Sequence, residues 1–315
     1  MIPEKSEILA TMDRIKPFIH KTPVLTSSSI NRITGVELYF KCENFQRMGA
    51  YKMRGAVNAI LKLPEADGAK GVVTHSSGNF AQALALAAKS VNTKAYIVMP
   101  SNAPKVKKAA VLEYDAEVFD CTPTLEARQS TADKIAKETG AVFIHPYNDF
   151  NVIAGQGTAA LELIEEYGKL DYIFVPVGGG GLLAGTALSA HYFSAQTKVI
   201  AGEPFGADDA YRSLKAGKII PSENPKTIAD GLLTSLGDKN FPIIQKLVQE
   251  IIRVEELEIV EAMKMIWQRM KIIVEPSSAV ALAALVREKA RFQNKKVGII
   301  LSGGNVDVEN LPFSI

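Results

Sequence analysis

Lys52 stands between Tyr51 and Met53, with Gly49 and Gly55 close by. A lysine in such apolar company loses hydration, which favours its neutral, nucleophilic form. A neutral amine condenses with an aldehyde to give a Schiff base. Three further segments combine reactive or ligand-gripping residue types. Ser76, Ser77, Gly78 and Asn79 follow His75 and precede an apolar helical stretch. Hydroxyls and backbone amides at such a point suit a carboxylate or a phosphate. Val177 leads into Gly178, Gly179, Gly180 and Gly181, then Leu182. Successive glycines let backbone N–H groups converge on a phosphate with no Cβ in the way. Finally, Ser302, Gly303, Gly304 and Asn305 follow an apolar run. A hydroxyl there serves either a ligand heteroatom or a tight turn.

The glycine run admits a second reading. Gly179, Gly181 and Ala184 also fit the dinucleotide fingerprint, with Glu203 at the end of the next strand. An NAD-dependent dehydrogenase built on it leaves Lys52 and Ser302 unexplained, and its motif falls mid-chain. A non-enzymatic amino-acid-binding regulator has no use for Lys52.

These segments need elements to position them. Short β-branched runs alternate with longer helical patterns along the chain. KGVVTH (70–75), KAYIVMP (94–100), AEVFDC (116–121) and AVFIHP (141–146) read as strands. Helices separate them, one around PKVKKAAVLEYD (104–115). A second series follows: helix GQGTAALELIEEYG (155–168), strand DYIFVPVG (171–178), helix LLAGTALSAHYF (182–193) and strand KVIAGEP (198–204). Two or three helices are expected to fill 240–292, and KVGIILSGG (296–304) to close the sheet. The order predicts an α/β fold of two domains. Each has a mostly parallel twisted sheet flanked by helices, with a ligand in the cleft between them.

Composition narrows the function classes. Apolar residues make up 47% of the 315, charged ones 22%, and the net charge is +2. That supports substantial cores and no basic stripe for nucleic acid or an anionic membrane surface. No apolar run reaches the length of a membrane span, and the N-terminal stretch lacks a signal-peptide pattern. Cys42 and Cys121 lie far apart in the sequence, which fits a reduced, cytoplasmic setting. The four histidines lack metal-ligand spacing, so no zinc site is expected.

Seven motifs occur in a telling order: ENFQRMGAYKMRGA (43–56), SSGN (76–79), IAGQGT (153–158), GGGGL (178–182), TIADG (227–231), VEP (274–276) and SGGNVD (302–307). Together they resemble the serine/threonine dehydratase–serine racemase family of pyridoxal-phosphate enzymes, of the tryptophan-synthase-β fold type. The resemblance runs from about His20 to Asp307. It implies a large cofactor-binding domain from 1–65 and 149–315, and a small substrate-loop domain from 66–148. By the same resemblance Lys52 carries the cofactor and acts as catalytic base, and Tyr51 stands beside the ring. Asn79 faces the phenolic oxygen, Gly178 to Gly181 and Leu182 bind the phosphate, and Ser302 meets the pyridine nitrogen. Ser76, Ser77, Gly78 and Asn79 take the substrate carboxylate, Arg128 lies near the substrate, and Ser77 is the second-face acid–base of racemases.

The resemblance further implies a divalent cation (Mg²⁺, Mn²⁺ or Ca²⁺) on Glu203, Asp209 and the Ala207 carbonyl, and a homodimer. The implied reaction converts a β-hydroxy amino acid, L-serine or L-threonine, to a keto acid and ammonia. Serine racemase and 3-hydroxyaspartate ammonia-lyase are the alternatives. Phe80 departs from the family's usual histidine, and Tyr147 stands where some racemases have asparagine. Dehydration is therefore expected to outrun racemisation. With the sequence stopping at Ile315, no regulatory domain is expected.

Overall fold

The computed structural model describes residues 1–103 and 105–314. Pro104, at the start of one predicted helix, lies outside them, as does Ile315. From Lys105 that helix runs to Leu112.

The described residues form ten strands: β1 (Val24–Leu25), β2 (Glu37–Cys42), β3 (Val72–His75), β4 (Ala95–Pro100), β5 (Glu117–Cys121), β6 (Val142–Phe143), β7 (Tyr172–Pro176), β8 (Lys198–Pro204), β9 (Val248–Val254) and β10 (Lys296–Leu301). They make two sheets, one ordered β1-β2-β10-β7-β8-β9 and one ordered β5-β4-β3-β6. Every pairing is parallel except that of β1 with β2. Parallel neighbours need crossovers, and helices supply them, as the alternating pattern requires.

One expectation is corrected. Residues 240–292 are not filled by helices alone. The helices Phe241–Leu247 and Glu256–Met270 are separated by β9, and Pro276–Arg287 follows. In β9, Val248, Ile251, Ile252 and Val254 are buried, while Gln249, Glu250 and Arg253 are not. An edge strand with one wet flank tolerates those polar residues, so the segment does not read as an apolar run. β10 completes its sheet, as expected. It lies inside, between β2 and β7.

Register explains why the chemistry converges. β10 pairs with β2 so that Leu301 sits opposite Cys42, and with β7 so that Ile299 sits opposite Phe174. The segments that follow these three strands therefore leave from one edge. They are the lysine segment, Ser302 and the glycine run. Ala50 bridges to Gly303 across that edge. In the smaller sheet, Ser76 follows β3 in the same way. The carboxyl ends of parallel strands are where ligands of α/β folds sit.

Close helix packing fixes the two helices that begin at this edge. Helix Lys52–Leu61 carries the lysine at its first position, and helix Gly181–Phe193 follows the glycine run. Helix Phe150–Tyr167 packs against both through Gly155 and Gly157. A Cβ at Gly155 would lie 2.5 Å from Gly55 Cα, and one at Gly157 would lie 2.8 Å from Gly185 O. This is the physical content of the IAGQGT motif: only glycine lets these backbones approach.

Behind the lysine helix lies a buried quartet of charges. Arg54 donates to both Glu43 oxygens at 2.7 and 2.8 Å and to both Glu162 oxygens at 2.9 and 2.8 Å. Lys41 donates to Glu162 at 2.6 Å. Buried charges persist when paired this fully. Arg54 lies in the same helical turn as Lys52, so the quartet anchors the lysine-bearing turn to β2 and to helix Phe150–Tyr167.

Candidate active site

A cavity of about 360 Å³ opens among segments from both sheets. Lys52, Ser76, Ser77, Gly78, Asn79, Arg128, Gly178 to Gly181, Leu182 and Ser302 all line it, with Tyr51, Phe80 and Tyr147. The residues expected to serve cofactor and substrate thus come together, while Glu203, Ala207 and Asp209 lie elsewhere.

Lys52 Nζ lies 5.0 Å from the Tyr51 ring centre and 5.8 Å from that of Phe80. Its hydrogen bond is to the Pro146 carbonyl at 3.3 Å. Burial pushes the amine down to about 8, against the opposing pull of the Glu275 carboxylate. A substantial neutral fraction near physiological pH is what a nucleophilic lysine needs.

The glycine run forms a bare cradle. A Cβ at Gly178 would come within 2.7 Å of Leu232 Cα, and one at Gly179 within 2.5 Å of the Tyr147 ring. Gly180 takes φ +85°, a left-handed conformation that favours glycine. Asn240, buried, donates to the Gly179 carbonyl at 2.8 Å and accepts from the Gly237 amide at 3.1 Å. With that carbonyl occupied, the backbone amides at the start of helix Gly181–Phe193 remain for an anion. A buried amine beside a side-chain-free phosphate cradle fits an aldehyde cofactor that bears a phosphate.

A family model described as pyridoxal-phosphate dependent enzyme matches residues 15–303. The chain belongs to that family. This pyridoxal-phosphate-dependent enzyme is 49% identical to the beta-hydroxyaspartate dehydratase of Paracoccus denitrificans, over 99% of each chain. It is 53% identical to the serine racemase of Dictyostelium discoideum, over 95% of this chain and 93% of the other. The structure of T.th. threonine deaminase superposes with a TM-score of 0.92 at 42% identity, covering 97% of this chain and 99% of that one.

The enzyme's cavity holds further charged groups. Glu275 is buried, and burial raises its carboxyl to about 7 although the Asn79 amide donates to it. Arg128 reaches the cavity from helix Leu125–Thr139, and its buried Nε has no hydrogen-bond partner. Outside the cavity lining, His145 Nδ1 accepts from the Asn148 amide at 3.0 Å. Burial, then His75 and Lys52, push this imidazole down to about 4, so it is neutral and its Nε2 carries the proton.

Away from the cavity, Glu203 stands next to last in β8 and accepts from the Ala210 and Tyr211 amides, both at 2.8 Å. Asp209 opens the next helix, and both of its buried oxygens lack a hydrogen-bond partner. Burial raises both carboxyls, Asp209 to about 6; the Leu236 amide and the Ser222 hydroxyl approach Asp209 without reaching hydrogen-bond geometry and only temper its shift. Among the described residues no three His, Cys, Asp or Glu side chains cluster as metal ligands. The expected set has two carboxylates and one carbonyl. Orphaned buried carboxylate oxygens of this kind fit a hard cation, and the Glu203 oxygens retain lone pairs for one.

Two residues in this architecture went unassigned in the sequence. Glu275 precedes Pro276 and so reads as the N-cap of helix Pro276–Arg287, yet its side chain makes no cap bond. The VEP motif was the available signal. Asn240 carried none, because its partner Gly179 is remote in sequence.

Proposed function

We propose that the enzyme is an ammonia-lyase acting on β-hydroxy amino acids, converting L-serine or L-threonine to a keto acid and ammonia. The observation that carries this reading is Lys52, a desolvated amine in the same cavity as the glycine cradle. Lys52 would hold pyridoxal phosphate, Gly178 to Gly181 and Leu182 its phosphate, and Ser302 its pyridine nitrogen. Bound there, the cofactor supplies an electron sink for negative charge at the substrate Cα. The Ser76–Asn79 loop grips the substrate carboxylate with amides and hydroxyls. Lys52 Nζ, released, takes the Cα proton as the β-hydroxyl departs with a proton as water. The enamine left behind takes up water and sheds ammonia. Ser77 is the candidate acid on the second face, through which racemisation would compete.

A second reading rests on Arg128. Its unpartnered Nε favours a substrate that brings a second carboxylate, which is 3-hydroxyaspartate chemistry. The Paracoccus relative is named for hydroxyaspartate dehydration and the Dictyostelium relative for serine racemisation.

In this reading, 1–65 with 149–315 form the large domain and 66–148 the small one. Glu203, Asp209 and the Ala207 carbonyl hold a divalent cation that braces the start of helix Asp209–Ala216. The molecule works in the cytoplasm as a homodimer. The first test is the visible spectrum with borohydride: a yellow species that reduces irreversibly onto Lys52 is expected. Keto-acid formation from serine, threonine and 3-hydroxyaspartate, in both enantiomers, then ranks the substrates. No keto acid from any of them overturns the lyase reading. For the cation, EDTA should lower the melting temperature and Mg²⁺ restore it, with no response in Asp209→Asn.

A further inference from the structure

Glu275 has no part in the reaction just described, yet it is 3% exposed and lines the cavity. Its surroundings are built for it. The Glu275 amide donates to the Gly303 carbonyl at 3.0 Å. A Cβ at Gly303 would stand 2.9 Å from Glu275 Oε1, so glycine there makes room for the carboxylate. Lys52, Asp230 and Lys107 are the charged groups whose fields reach it.

A chain of hydrogen bonds then fixes one amide. Asn305 Nδ2 donates to the Met48 carbonyl at 2.9 Å. A backbone carbonyl only accepts, so this bond sets which way the Asn305 amide faces. The same nitrogen donates to Asn79 Oδ1 at 2.8 Å. Asn79 must therefore turn its Nδ2 the other way, where both Glu275 oxygens accept at 3.0 Å. The reversed Asn79 would set N–H against N–H at Asn305, and its oxygen against Glu275 whenever that carboxyl is ionised. Two oxygens of one carboxylate subtend, from that nitrogen, far less than the about 120° between the N–H bonds of a planar amide. One N–H therefore serves Glu275 and the other is left over.

We propose that Glu275 and Asn305 are positioning residues for the cofactor: acting through Asn79, they ensure that an N–H, and never the carbonyl oxygen, is offered to its phenolic oxygen. This rests on the reading that pyridoxal phosphate occupies the cavity with that oxygen at Asn79. It also explains two residues of the SGGN segment, Gly303 as space for the carboxylate and Asn305 as the lock.

The test is a cycle on holoprotein, stripped of cofactor and titrated with pyridoxal phosphate, reading dissociation constant and visible maximum. Asn305→Asp replaces the locking donor with an acceptor, and Glu275→Leu removes the acceptor for Asn79. Each should weaken cofactor binding about tenfold, as expected for one lost buried hydrogen bond, and shift the visible maximum. Glu275→Gln keeps an oxygen for the Asn79 N–H and should recover most of the affinity that Glu275→Leu loses. In an Asn79→Ala background neither Glu275→Leu nor Asn305→Asp should weaken binding further. Circular dichroism of each variant confirms folding. If Glu275→Leu does not fold, Asn305→Asp, at a partly exposed position, carries the same test. Equal losses with and without Asn79, or folded variants that bind and absorb as wild type does, overturn the positioning role alone. A wild type that takes up no pyridoxal phosphate overturns the cofactor reading beneath it.

Discussion

Lys52 is the residue on which most depends, since it is asked to serve first as the attachment point and then as the base. Lys52→Ala should therefore keep its fold and lose keto-acid production altogether. Turnover near the wild-type rate in the purified variant would remove the assignment. Its acid–base state gives a second check. Burial holds the amine at about 8, below the ordinary lysine range, so the neutral fraction climbs as pH rises through that value. Stripped protein should accordingly take up pyridoxal phosphate faster from pH 7 to 9, levelling off above. A rate that stays flat over that range contradicts a free amine as the attacking group. Ser77 is the test of the second face. Ser77→Ala should abolish D-serine formation from L-serine and spare most of the pyruvate, because elimination needs only Lys52 and an acid at the hydroxyl. Phe80 is buried and the Tyr147 ring abuts Gly179; both stand where the family resemblance implies polar residues that would help a serine pass a proton. D-serine appearing faster than pyruvate would contradict that argument.

At the scale of elements, the lysine turn is held by its charged backing. Arg54→Ala leaves the Glu43 and Glu162 carboxylates buried with Lys41 as their one remaining cation in the quartet. The loss should be about 3 kcal/mol or more, read by urea unfolding of cofactor-free protein; a loss below about 1 kcal/mol would show the site relaxing to admit water. Much of this layer was legible in the sequence. The βα series of the smaller sheet, β7, β8 and the helix after the glycines follow from the period of their apolar residues. β1 and β2 were not found, because one is two residues long and the other carries Glu37 and Lys41 among its apolar residues. Lys41 is silent in sequence for another reason: a buried lysine looks like any surface lysine until its partner, Glu162, is brought to it. The same holds for Glu275, whose motif gave its place but not the direction its side chain turns.

Across the whole molecule, the cavity draws on both sheets, with Lys52, Ser302 and the glycine run leaving the larger and the Ser76–Asn79 loop leaving the smaller. A cofactor that touches segments of both should stabilise them together. Removing pyridoxal phosphate with hydroxylamine should lower the melting temperature and raise hydrogen exchange in β3 and the helix Asn79–Ser90. Unchanged exchange there would mean that the smaller sheet does not feel the cofactor.

The inside place of β10 has a further consequence, one for the order in which the molecule is made. β2 emerges from the ribosome early and β10 after the nine other strands, yet the two lie side by side with β7 beyond. Until β10 arrives, β2 and β7 have no direct contact as strands, and Ser302 and Glu275 are not joined to the lysine segment. The smaller sheet, drawn from one continuous stretch, needs no such wait. Synthesis thus produces a compact inner unit first and a half-built outer sheet with two exposed inner edges, the kind of intermediate that chaperones retain. The long sequence separation between β2 and β10 also places their pairing among the slow steps of folding. Cofactor capture therefore follows the arrival of β10, and a chain halted on the ribosome before β10 should not turn yellow.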